Sequence, residues 1–329
     1  MESQSTPQGQ LTPQSSADAW PSLSYEDWKD TYATLHRWTQ IVGKTRMGFE
    51  PMLNHWWQVA LYVSARGLTT SAMPCSPGRL VEMEFDFIDH ELAIRTSDGA
   101  RRALRLIPRS VADFLAEYES TLRGLGVEAH VWPVPVELPD ALPFAEDREH
   151  ASYDGAMAHR FWQALIRADR VFKIFRARFV GKSSPAHFFW GSFDHAVTRF
   201  SGKPAPPHPG GAPHVGDWVM REAYSHEVSS AGFWPGNDLY PQAAFYSYAY
   251  PAPEGFADAP LRPAGALFSK EMGEFLLPYE AVRTAANPEA ALLDFLQSTY
   301  EAAADRAGWD RAGLERRESL ICDRLPARA

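Results

Sequence analysis

The chain partly repeats itself. Laid on itself at the offset that carries His55 onto His187, Lys44 falls on Arg176, Arg46 on Arg178, Trp56 on Phe188 and Trp57 on Phe189. A one-residue slip then puts Arg66 on Arg199, and two later segments share Asp113-Phe114-Leu115 and Asp294-Phe295-Leu296. The repeated letters follow a repeated order: helix, His-aromatic strand, loop, further strands, helix. A chain of this kind is expected to be α+β, with two similar halves from internal duplication. Each half would be a mixed or antiparallel sheet flanked by helices, and the halves would meet about a pseudo-twofold axis.

The organisation is read from periodicity and breakers. Residues 1–19 are rich in Gln, Ser, Thr and Pro, without a basic and apolar leader, and are expected to be a disordered tail. Residues 20–138 would form the first half, 139–154 an acidic, proline-bearing connector, 155–309 the second half and 310–329 a charged, fraying tail. Ser24, three residues before Asp27, predicts a capped helix to about Met47, and apolar spacing predicts others over 110–125, 155–180 and 288–307. Strands are expected over 55–66, within 80–106 around a turn at Asp98-Gly99, and over 127–136, 187–200, 243–250 and 264–277. The proline-dense stretch 203–217 cannot be regular.

Thirty-two basic against 41 acidic residues, a balance of −9, argue against a nucleic-acid or anionic-membrane binder. No apolar run is long enough for a membrane helix. Cys75 and Cys322, far apart and outside metal-ligand spacing, fit a reduced, cytoplasmic protein. Neither a dinucleotide fingerprint nor a P-loop is present, so NAD, FAD and ATP of the usual kinds are not expected, and no other cofactor is named.

Chemistry concentrates on the paired motifs and on 224–236. His226 or His187 would serve as acid or base, with Asp194 orienting a histidine. Arg66 and Arg199 would clamp an anion, helped by His55, Arg46 and Arg178, while Trp190 and Trp234 would wall the site. On a continuous strand His187 and His195 would share a face and Asp194 would lie on the other. His187, His208 and His226 form a weaker, metal-binding alternative. Lys44, Arg46, Arg176 and Arg178 are equally explained as cations at helix ends, and the aromatic runs as core.

Several strings are familiar: YATLHRWTQIVGK from Tyr32, NHWW from Asn54, ARGLTTS from Ala65, HFFWGSFD from His187, PPHPGG from Pro206 and YSHEVSSAGFWPG from Tyr224. Together they resemble the bacterial family catalogued as domain of unknown function 5996, over roughly Trp20 to Trp309. The resemblance implies a shared fold for that stretch and brings no activity, cofactor or catalytic residue. The expectation is therefore a small-molecule enzyme using His-centred acid-base chemistry on an anionic or aromatic substrate, in a cleft between the halves. The alternatives are a non-catalytic ligand-binding or interaction module and, third, a metal-dependent enzyme. The oligomeric state is left open.

Overall fold

Trp28, Leu35, Trp38, Ile41 and Val42 recur at helical spacing, and they bury one face of helix α1 (Tyr25–Phe49) in the computed structural model, which describes residues 20–316. Ser24 precedes α1 as expected, but its side chain makes no cap hydrogen bond. Ser110 and Asn287 do cap, accepting from Asp113 N and Ala290 N at the starts of α2 (Val111–Gly124) and α6 (Pro288–Arg306). Helix α3 (Gly155–Ala177) begins under Asp154, and two short helices, α4 (Asp217–Ala223) and α5 (Tyr279–Arg283), lie between α3 and α6.

Two antiparallel six-stranded sheets complete the α+β architecture. The first comprises β1 (Tyr62–Val63), β2 (Gly67–Thr69), β3 (Met73–Ser76), β4 (Arg79–Asp86), β5 (Glu91–Thr96) and β6 (Arg101–Arg105). Its order is β1-β2-β4-β5-β6, with β3 also on β4, and Gly99 supplies the left-handed turn expected after Asp98. The second comprises β7 (His187–Phe189), β8 (Asp194–Pro204), β9 (His226–Trp234), β10 (Ala244–Tyr250), β11 (Leu267–Ser269) and β12 (Glu274–Pro278), in the order β11-β12-β10-β9-β8-β7. Helices α1 and α2 pack with the first sheet, α3 and α6 with the second, around one continuous core. Trp28 meets Phe161 at 4.9 Å and Trp38 stacks on Phe114 at 4.7 Å.

The sheets touch edge to edge. Leu61 N donates to Phe188 O at 2.9 Å and Phe188 N to Leu61 O at 2.8 Å, an antiparallel bridge between the first strands of the two halves.

Several expectations are corrected. Residues 55–66 are not one strand: Asn54–Val59 is a tight helical turn in which His55 and Trp56 both have positive φ, and only Tyr62–Val63 forms a strand, preceded by the single bridge at Leu61. Residues 187–200 are a hairpin, because residues 190–193 turn between β7 and β8, and Phe193 has positive φ. Residues 127–136 form no strand, their prolines at 133 and 135 lacking amide donors. Residues 311–314, placed in the charged tail, form a short helix, α7 (Arg311–Leu314), and Glu315 bridges Phe179. The tail at 1–19, residues 317–329 and Cys322 lie outside the described residues. Among those described, no helix is long and apolar enough to cross a membrane.

Candidate functional site

The hairpin at 190–193 decides which side chains meet. His187 pairs with Ala196 and Phe189 with Asp194, so His187 and Asp194 lie on one face of the second sheet, while His195 and Arg199 lie on the other. The parity expected of an unbroken strand is thereby reversed. The face bearing His195 and Arg199 is covered by helix: His195 Nε2 is 3.2 Å from Asp169 of α3. The Arg199 guanidinium stacks 3.4 Å from the Phe175 ring centroid and 4.3 Å from that of Tyr300, and it donates to Phe175 O. Burial lowers its pKa to about 9. Arg66 pairs instead with Asp86 and Asp89 beside β2, so the two arginines expected to clamp one anion are not brought together.

The second face carries the unusual chemistry. Its middle is a row of small residues, Ala196, Thr198, Ser230 and Gly232, with Tyr246 opposite Gly232 and Tyr248 opposite Ser230. Because Gly232 has no side chain, the Tyr246 ring lies across β9 and its hydroxyl donates to the Asp194 carboxylate on β8. A Cβ at Gly232 would stand 2.5 Å from Tyr246 Oη and 2.7 Å from the His195 carbonyl oxygen. Gly232→Ala is therefore expected to cost about 1–3 kcal/mol in urea unfolding and to detach Tyr246 from Asp194.

Asp194 is only 6% exposed, and burial lifts its pKa to about 7, with the negative charge of Glu137 adding to the push. Burial likewise raises Glu274, on β12, to about 7, and Glu137 above its ordinary value. Among the described residues, none of these three carboxyl groups is ion-paired with a cation. Glu137 is aimed by α1: Gln40 holds Val136 through both its amide N and its carbonyl, and His36 holds the Gly191 carbonyl at 2.8 Å. Glu137 accepts from Ser192 Oγ, and its own amide donates to Pro213 O at 2.8 Å. The proline-dense loop thus lies over this face. It brings His208 onto Tyr224 at 4.7 Å, and Tyr224 shares a 2.8 Å hydrogen bond with Tyr248. Together they form a cluster of tyrosines and carboxyl groups.

A basic end adjoins it. His187 is fully buried among Trp57, Tyr62 and Phe189, and neither ring nitrogen has a hydrogen-bond partner among the described residues. Burial, with the neighbouring charges of His195, Arg46 and Arg176, lowers its pKa to about 3, so the ring is neutral. Arg46 donates to Gln58 O at 2.7 Å and lies over Tyr62, while Arg178 closes α3, its carbonyl accepting from Arg316 N. The His55 ring stands 5.7 Å from His226 and 4.5 Å from Phe200. Trp190 is buried against α1 and donates to Val59 O, and Trp234 stacks on Tyr240. His55, His226, Arg46 and His187 therefore gather at one end, with Trp57 between His55 and His187.

Sequence reasoning took Tyr246 and Tyr248 only as part of an aromatic run and Tyr224 only as part of 224–236, and it missed Glu137 and Glu274. The alternation of Tyr246, Tyr248 and Tyr250 between apolar or small residues was the available signal. Among the described residues, no three His, Cys, Asp or Glu side chains converge as a metal site, and His187, His208 and His226 are not assembled as one.

Residues 20–316 match the model of a family described as "Family of unknown function (DUF5996)". No curated protein and no solved structure matches the chain.

Proposed function

This chain belongs to the DUF5996 family, and we propose that it is a small-molecule enzyme whose acid-base group is the Asp194–Tyr246 pair. The observation that carries this reading is a buried carboxyl group hydrogen-bonded to a tyrosine within a cluster of tyrosines, with no ion-pairing cation among the described residues. A carboxyl group that titrates near neutrality can both take and return a proton at working pH. Tyr246 orients it and offers a relay for that proton. The faces of Tyr224 and Tyr248 suit an aromatic body. Carboxyl groups at this end favour an amine or hydroxyl on the ligand over an anion. The acid-base role first expected of His187 and His226 accordingly passes to Asp194. The repeated helix-sheet-helix order and the antiparallel Leu61–Phe188 contact support descent of the halves from a duplication.

The test is a thermal-shift screen of aromatic amines, phenols, carboxylates and phosphates at equal concentration. Amines or phenols should raise the melting temperature, more strongly for amines as pH rises through about 7 and Asp194 ionises. Asp194→Asn should weaken the pH dependence, Glu274 keeping its own part of it, and Tyr246→Phe should weaken the shift. Stabilisation by carboxylates alone would overturn the reading. A ligand bound without turnover would leave the non-catalytic alternative, which the same cluster also serves.

A further inference from the structure

A second chemistry sits at the basic end, independent of the Asp194 cluster. Lys182 Nζ lies 2.6 Å from His55 Nε2. His55 Nδ1 is 3.0 Å from the Ala223 carbonyl, which can only accept, so Nδ1 carries the hydrogen and Nε2 presents its lone pair to the lysine. His55 is held there under tension. Its φ of 59° and that of Trp56 at 61° are consecutive left-handed conformations in non-glycine residues, which surrounding contacts must over-determine. Those contacts are visible: the His55 amide donates to Glu222 Oε1 at 3.2 Å, and Trp56 packs on Trp218 at 5.1 Å.

The amine also lies 4.8 Å from the Phe200 ring centroid and 5.5 Å from that of Trp57. No carboxylate pairs with it within ion-pair distance among the described residues, whereas Lys29 and Lys173 each have one. Lys182 itself is solvent-exposed, and it lines an open groove of about 500 Å³ together with Arg176, Phe179, Ser183 and Arg316. An accessible amine, a neutral base against it and two guanidinium groups along one groove make a specific combination.

We propose that Lys182 is a nucleophilic lysine that forms an imine with a carbonyl compound bearing an anionic group, with His55 as its base. The Lys182 ammonium passes a proton to His55 Nε2, and the freed amine attacks the carbonyl carbon while the C=O electron pair moves to oxygen. The nitrogen then passes its second proton to that oxygen, His55 returns the first proton to the resulting hydroxyl, which leaves as water, and the nitrogen lone pair closes the C=N bond as a protonated imine. Arg176 and Arg316 hold the anionic group. Partial burial lowers the ordinary pKa of both Lys182 and His55, in keeping with an amine that is readily deprotonated.

The experiment uses the full chain and pyridoxal 5′-phosphate, trapped with borohydride and mapped by peptide mass. Lys29, Lys173, Lys203 and Lys270 are exposed and serve as internal controls. Near neutral pH, Lys182 is expected to carry the adduct about tenfold or more over any of them, and Lys182→Arg to remove it. His55→Asn tolerates the left-handed backbone and removes the base, so it should slow labelling of Lys182 about tenfold or more. An even spread of adduct over the lysines of the native chain would overturn the proposal without recourse to any variant. An unchanged rate in His55→Asn would overturn the role of His55. Equal labelling by pyridoxal, which lacks the phosphate, would overturn the anionic class.

Discussion

Asp194→Asn is expected to be more stable than the native chain at about pH 8, by up to ~4 kcal/mol, with the advantage vanishing as pH falls toward about 4. The sign follows from the direction of the shift. In the unfolded chain the carboxyl group ionises around its ordinary value of 3.8, whereas the folded chain holds the proton up to about 7. The folded state therefore binds the proton more tightly, and folding loses stability as pH rises between those values. Asparagine has nearly the same shape and still accepts from Tyr246, but it has no proton to lose. Paired urea titrations at the two pH values measure the difference. Part of the gain comes through Glu274, whose pKa the charge of Asp194 helps to raise. A gain that did not depend on pH would show that Asp194 is not the strained carboxyl group, and the proposed catalytic pair would fall with it.

Arg199→Ala should lower stability by about 3 kcal/mol or more, measured as the urea midpoint, because the guanidinium fills the space between Phe175 and Tyr300 on the helix-covered face. Arg199→Met restores apolar volume and relieves a buried cation whose pKa burial has already lowered to about 9, so it should return most or all of that loss. Equal damage in both variants would instead assign the stability to the hydrogen bond with the Phe175 carbonyl. Neither change should alter binding at the Asp194 cluster, since the sheet separates the two.

The helices were legible because their cues are local. The apolar stripe of Phe161, Leu165, Phe172 and Phe175 announced α3. Of the histidines singled out in the sequence, His55 and His226 do lie near one another. The facing of the strands was not legible, since one turn at 190–193 reverses parity for everything after it, and Trp190-Gly191-Ser192-Phe193 has the aromatic character of its flanking strands. Arg199 moved from a presumed ligand clamp to the core for that reason alone. The cluster escaped notice because its members come from the 137 loop, from Tyr224 after α4 and from β8, β10 and β12, five places brought together by sheet register, by the Tyr224–Tyr248 hydrogen bond and by the hold of α1 on Val136 and Gly191. A left-handed His55 had no precursor in the sequence either, because Asn54-His55-Trp56-Trp57 contains no glycine.

The paired hydrogen bonds between Leu61 and Phe188 also cover two sheet margins. A strand at a sheet margin offers unpaired amides and carbonyls to any other extended chain, and β1 and β7 are such margins. By setting one against the other, each half shields the vulnerable border of its neighbour within a single polypeptide. A half expressed alone would lose that shield and expose Leu61 or Phe188, both wholly buried in the intact chain, at an open margin that a second copy could occupy.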